Sequence, residues 1–372
     1  MVITYKCPSC GAPMRFDPES QKLSCEHCQT ELSVKEYEER CGKPLMREET
    51  EEEKAADRMD GRPLETEEEG ARVSYEQGPT MNVKKYHCSS CGAEVVTDET
   101  TAASICGFCG SPTLLEERME GAKRPERVLP FQVTREQAVE KFRAWTKRGL
   151  FTPKEFRSQS TVDKITGIYV PFWLVDYQAN VQLQARCTRT RVTRSKDTEY
   201  IYTDHYHVRR NMDAGYEKIP MDASEKMDDK TMDLLEPFHY QDLKRFDLPY
   251  LSGYLADVYS YTEKDMEGRG KQRVREYALA AARGSISGYS GVNVVEQRIR
   301  IDETRAEYVL LPVWMLNYRY QEKNYQFVIN GQTGKMVGTL PLSKRRMLGW
   351  WAGLTTGIFT AMTLISIVGG LL

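Results

Sequence analysis

Ten cysteines punctuate this chain, and eight of them fall into four C-x-x-C pairs: Cys7 with Cys10, Cys25 with Cys28, Cys88 with Cys91, and Cys106 with Cys109. The first two pairs form C-x2-C-x14-C-x2-C, and the last two repeat that spacing with every cysteine displaced by 81 residues. A zinc ion takes four soft ligands in a tetrahedron, with Zn–S bonds of about 2.3 Å. Each pair supplies two thiolates from one tight turn, and the residues between the pairs make the hairpin that brings them together. Gly11, Gly92 and Gly110 follow the second cysteine of their pairs, where the backbone must curl so that amides face sulfur, whereas Gln29 takes that place in the remaining pair. A redox dithiol needs one such pair at a helix N-terminus within a βαβ pattern, and nothing around these four has it. The eight cysteines are therefore read as ligands of two structural zinc ions, with every position closed to substrate. His27 and Cys41 are read as bystanders.

Units this small cannot bury a core of their own, so ligation, roughly 10 to 16 kcal/mol in zinc-finger peptides, is the energy that folds them. Their charge bears on their partners. Lys6, Arg15 and Lys22 stand against Asp17, Glu19, Glu26 and Glu31 in the first ribbon, and Lys84 and Lys85 against Glu94, Asp98 and Glu99 in the second. Neither has the basic surface that phosphate contact demands, and the whole chain carries a formal charge of −2. Nucleic acid is disfavoured and protein recognition preferred. The chain is read as no enzyme. "GQTGK" lacks the earlier glycine and the following Ser/Thr of a phosphate loop, and no G-x-S-x-G occurs. His205 and His207 share a strand face but have no evident third ligand, and Arg189, Arg191 and Arg194 read as a solvated face beside Asp197, Glu199 and Asp204.

The elements that must position these residues give an α+β chain of five parts. Residues 1–33 are zinc ribbon 1. Residues 34–80, with 15 acids against 8 bases, read as a mobile acidic tether. Residues 81–120 are zinc ribbon 2. Residues 121–342 form a mixed, β-rich body. It opens with "VLPFQVTREQAVEKFRAWTKRG", a short strand and then a helix N-capped by Thr134 with Gln137 three residues on. An internal repeat follows: "YVPFWLVDY" at 169–177 is echoed by "LLPVWMLNY" at 310–318, each leading into a candidate hairpin, so two related lobes are expected to bury Trp173 and Trp314. Residues 347–372 carry no charge, are long enough at 1.5 Å each for a hydrocarbon core of roughly 30 Å, and follow Lys344, Arg345 and Arg346. They are expected to form one transmembrane helix. Met1 leads into no apolar leader, so the expectation is a single-pass cell-membrane protein with its N-terminal bulk in a reducing cytoplasm.

With these parts in place, the chain resembles a bacterial family of TFIIB-type zinc ribbon-containing proteins, some of which carry the primosomal helicase's name for their ribbon. The resemblance runs through "YKCPSCGAPMRFDPES", "YHCSSCGAEVVTDETTAASICGFCGSPT", "IYVPFWLVDY", "KMDDKTMDLLEPF", "LPYLSGYLAD" and "LLPVWMLNYRY…INGQTGKMVG". It implies zinc on the eight cysteines, no established reaction, and membrane-associated stress systems in which phage-shock-protein-A-like or SPFH-domain membrane proteins are partners. The function expected is a membrane-anchored, cytoplasm-facing scaffold or adaptor that touches membrane lipid and binds proteins through its ribbons. The alternative is a nucleic-acid-associated ribbon factor in transcription or replication.

Overall fold

The computed structural model of the chain describes residues 5–41, 80–88, 93–97, 106, 108, 114–153, 155–195, 198–320 and 323–369. It is an α+β protein with a β-rich body and a cysteine cluster near its N-terminus. Ribbon 1 is a three-stranded antiparallel sheet of β1 (Arg15–Asp17), β2 (Lys22–Ser24) and β3 (Glu31–Leu32). It is followed by helix α1 (Val34–Cys41). Ser33 and Glu36 close a reciprocal cap at the start of α1, and Tyr37 packs edge-on against Tyr5. The first turns of the expected tether are therefore helical and docked on the ribbon, while its residues 42–79 lie outside the described residues.

The body is built on two strands of 30 residues each, β8 (Thr166–Ser195) and β12 (Gly291–Tyr320), paired antiparallel along nearly their whole length. On β8, Ile168, Val170, Phe172 and Leu174 enter one core while Tyr169, Trp173, Val175 and Tyr177 enter the other. Both faces are covered there, which is why "GIYVPFWLV" is a continuous apolar run. Beyond it Gln178, Asn180, Gln182 and Gln184 turn outward while Ala179, Val181, Leu183 and Ala185 stay buried, so the strand alternates where one face is wet. Strand β9 (Thr198–Asp222) runs back along β8, extending this arm. Ribbon 2 is spliced into the same sheet. Its strands β4 (Thr80–Cys88), β5 (Glu94–Thr97) and β6 (Leu114–Lys123) join the body where β5 pairs with β11 (Leu255–Asp257), itself parallel to β8.

The echoed tryptophan motifs pair with each other. Leu310 lies opposite Pro171, Leu311 opposite Val170, and Pro312 opposite Tyr169, so matching positions exchange places around Val170 and Leu311 as in a local two-fold. The relation extends to the flanking chain. Strand β7 (Arg127–Val128) runs parallel to β12 as β11 does to β8, and each is followed by a helix with a capping box: α2 (Arg135–Lys147) at Thr134 and Gln137, and the longer Glu263–Gly284 helix at Thr262 and Asp265. Each indole donates to the carbonyl just before the capping threonine, Trp314 to Val133 and Trp173 to Tyr261, both at 2.9 Å. The Gly331 N–H donates to Pro312 and the Ala223 N–H to Pro171; the Gly331 carbonyl accepts from Gln132 and Val133, and the Ala223 carbonyl from Ser260 and Tyr261. The body is thus a β-α-β-β unit used twice, each unit lending its first strand to the other's hairpin. Between the units lies α3 (Asp229–Leu235), and the second helix is α4 (Glu263–Gly284). Strand β10 (Lys244–Arg245) pairs with β7 at one end of the sheet. Strand β13 (Lys323–Asn330) then pairs with β12, and β14 (Met336–Gly338) closes a hairpin on it across Asn330 to Lys335.

The chain ends in helix α5 (Lys344–Gly369). Its expected role as a transmembrane segment is corrected: among the described residues no helix is long and apolar enough to cross a membrane. The single-pass cell-membrane localisation expected from it falls with it. The run has no charge after Arg346, but lack of charge is not apolarity. Thr355, Thr356, Thr360 and Thr363 recur along it, each returning its hydroxyl to a carbonyl one turn back, and Gly349, Gly353 and Gly357 add no apolar surface.

Candidate metal centre

Cys7 and Cys10 sit in the turn before β1, and Cys25 and Cys28 in the turn between β2 and β3. Both turns have the same backbone bonds. The Gly11 N–H reaches the Cys7 carbonyl and the Gln29 N–H the Cys25 carbonyl, each at 2.8 Å, while the N–H groups of Cys7 and Cys25 reach Ala12 and Thr30. Gly11 has φ +75° and Gln29 +60°. The curl is therefore a left-handed residue after the second cysteine, free for glycine and strained for glutamine. Sulfur lies 3.3 Å from sulfur between Cys7 and Cys28 and 3.5 Å between Cys10 and Cys25, and all four Sγ atoms fall within 4.8 Å of one another. A tetrahedron with 2.3 Å Zn–S bonds has S···S edges of about 3.8 Å, so the cage has the size of a tetrathiolate site. It is the one metal-competent group of three or more His, Cys, Asp or Glu among the described residues.

The electrostatics suit a dication. Desolvation pushes the Cys7 thiol up, but the backbone N–H of Ser9, the Cys28 thiol and the N–H of Cys10 bring it down to about 6. Thr30, through hydroxyl and N–H, lowers Cys28. The N–H of Ala12 also favours a thiolate at Cys10, yet the neighbouring sulfurs of Cys28, Cys25 and Cys7 with burial hold it up at about 12. Thiolate forms readily at one corner and is then repelled at the next. A bound cation removes that repulsion and lets all four ionise.

The cage is built into the body and does not hang from it. Tyr5, Cys7, Met14, Phe16, Leu23 and Cys25 belong to the same buried cluster as Trp173 and Trp314. Phe16 meets Tyr250 with ring centroids 5.2 Å apart, the Ser252 hydroxyl donates to the Met14 carbonyl at 2.7 Å, and Gln21 Nε2 donates to the Phe131 carbonyl at 2.7 Å. Phe131 in turn stacks on Tyr254 and contacts Tyr169 and Trp314. Sequence reading missed this seam because nothing in its body side, "LPYLSGY", names the surface it meets.

Of the second quartet, Cys88 and Cys106 are fully buried near Tyr86, Ala93 and Phe108, and Cys91 and Cys109 lie outside the described residues. The Cys88 N–H donates to Ala93 as Cys7 does to Ala12, so the first knuckle starts alike in both ribbons. His27 and Cys41 are exposed and stand apart from the quartet, and His205 and His207 lie exposed on β9 opposite Thr188 and Arg186. The arginines are occupied. Arg189 lies between the rings of Tyr206 and Tyr289 and donates to the Gly288 carbonyl, Arg191 pairs with Asp204, and Arg194 pairs with Glu199.

No protein-family model matches the chain, and no solved structure matches it. The chain is 37% identical over 370 residues to a Bacillus subtilis (strain 168) protein, "Uncharacterized protein YdjG", and the alignment covers 100% of this chain and 99% of that protein. The chain belongs to the YdjG family.

Proposed function

We propose that this chain is a non-enzymatic adaptor in which TFIIB-type zinc ribbons, fixed to a β-rich body, recruit other proteins. The observation that carries the reading is the quartet of Cys7, Cys10, Cys25 and Cys28: four protein thiolates leave no coordination position for a substrate, so zinc there shapes a surface and activates nothing. A second zinc is assigned to Cys88, Cys91, Cys106 and Cys109 on their matching spacing. The charge of ribbon 1 favours a protein partner. Arg15 is paired with Glu26 at 3.1 Å and Lys22 with Glu31 at 3.9 Å, which leaves little free cation for phosphate. The knuckle residues Ser9, Cys10, His27 and Gln29 are exposed and available for contact. The family resemblance points to phage-shock-protein-A-like and SPFH-domain proteins as partners.

The test is metal analysis of the purified full chain together with binding to mixed DNA and RNA at physiological salt. Two zinc ions per chain and no nucleic-acid binding are expected. One zinc or none refutes the two-ribbon assignment, and submicromolar binding with a steep salt slope would assign the chain to the nucleic-acid-associated ribbon factors instead.

A further inference from the structure

The arm formed by β9, β8 and β12 has two outer edges, and they differ in what they expose. Along residues 296–302 of β12, Arg298 and Arg300 project 77% and 80% exposed and pair with Glu296 and Asp302, the charged side chains that keep an edge from recruiting another strand. Strand β9 pairs with β8 and, among the described residues, with nothing on its other side. Its stretch from Glu199 to Arg209, "EYIYTDHYHVR", has no proline, glycine, lysine or bulge. It exposes Tyr200 by 49%, Ile201 by 67% and Tyr202 by 52%. A long, β-branched and aromatic edge of this kind is a template for strand addition.

We propose that two copies of this chain pair antiparallel through β9, about a two-fold at Asp204, to make one continuous sheet from both arms. The sequence of the edge is complementary to itself in that register. A two-fold edge pairing sets residues equally far before and after its centre opposite one another, with side chains on the same face. Centred on Asp204, it places Glu199 opposite Arg209 of the second copy, and the symmetric contact repeats it. Tyr202 meets Tyr206, and Tyr200 meets Val208. Centring on Thr203 keeps a tyrosine pair, Tyr200 with Tyr206, but sets Tyr202 against Asp204 and Glu199 against His207, and centring on His205 sets Glu199 against Asn211 and Ile201 against Arg209, so both lose the Glu199–Arg209 ion pairs. The two Asp204 carboxylates that meet at the centre each carry Arg191 of their own chain at 3.2 Å, which offsets their repulsion. The pairing is independent of the zinc ribbons and of what they recruit.

Sedimentation of the zinc-loaded full chain over a wide concentration range tests it, with a doubling of molar mass expected. Tyr200→Lys with Tyr202→Lys, at exposed positions, should leave melting unchanged and return the chain to monomer. In a Cys41→Ser background, Asp204→Cys should give a disulfide-linked dimer on mild oxidation, while Glu217→Cys on the same strand should not. A chain that stays monomeric at every concentration, including one that instead captures an extended peptide of another protein, overturns the proposal. So does a dimer that survives both lysines, or one that crosslinks equally at Glu217→Cys.

Discussion

Asp222 and Asn330 occupy matching points of the two β-α-β-β units, each the last residue of its strand and each accepting, through its side-chain oxygen, the N–H two residues on: Ser224 at 3.0 Å and Gln332 at 2.9 Å. The Asn330 amide also donates to the carbonyls of Leu235 and Pro237, whereas Asp222 Oδ2 is buried with no partner among the described residues. Desolvation pushes the Asp222 carboxyl from 3.8 to about 8. The N–H of Ser224 and Arg269 oppose the rise, and Asp229 and Asp257 add to it. Asp257, which accepts the Ser224 hydroxyl, is raised by burial to about 7, with Ser224, the Val258 N–H and Lys226 opposing and Glu94 adding. Both carboxyls hold protons in the native state that the unfolded chain releases above about pH 4. Their contribution is therefore complete at acid pH and is lost as pH rises from about 4 to about 8, by at most about 1.4 kcal/mol per pH unit for each proton. Asp222→Asn, which copies the other unit, should make the fall of the urea midpoint between pH 5 and 8 shallower. Parallel profiles for the two proteins would show that Asp222 is not the group responsible. Nothing in the sequence marked Asp222, because one aspartate in "IPMDASEK" is ordinary until its surroundings are known.

Helix α4 shows at the scale of an element how little a motif says about contact. Met266, Gly270, Val274, Ala278 and Ala282, four residues apart, form its buried stripe. Gly270 lies so close to the arm that a Cβ there would come within 2.0 Å of the Tyr177 hydroxyl and 2.7 Å of the Met221 sulfur, while Gly268, two residues earlier, faces open space. Gly270→Ala should therefore destabilise by about 1 to 3 kcal/mol through overpacking, and Gly268→Ala should stabilise by about 0.5 to 1 kcal/mol through helix propensity. Thermal unfolding of the pair checks this, and equal effects would mean that α4 does not seat on β8 as described. The cap at Thr134 and the helix after it were legible in "VTREQ", because capping is a local exchange of bonds. The cap at Thr262, "YTEKD", has the same chemistry with Asp265 in place of Gln137 and was readable in principle. Its kinship with Thr134 emerges only through the two tryptophans that hold the preceding carbonyls.

Across the whole molecule, ribbon 1 and the body share one buried cluster, so metal binding at the proposed zinc site should be felt far from it. Cys25→Ser should lose one zinc per chain and lower the melting transition reported by Trp173 and Trp314 in the body, because structural zinc contributes roughly 10 kcal/mol or more to a unit this small. If zinc is lost and the tryptophan transition does not move, the seam at Phe16, Tyr250 and Ser252 is not coupled to the core. The sequence by itself marked Cys7, Cys10, Cys25 and Cys28 as a possible metal site, since the spacing of cysteines in a tight turn is dictated by the reach of two thiolates to one ion. It also determined the α+β class and the positions of the β-rich runs, since burial on one face or two writes itself as alternation or continuity. Only the tertiary structure decided that ribbon 1 is docked on the body and that the two tryptophan motifs lie side by side around a local two-fold. Both depend on which apolar surfaces meet, and residues far apart in the chain carry no local mark of their partner.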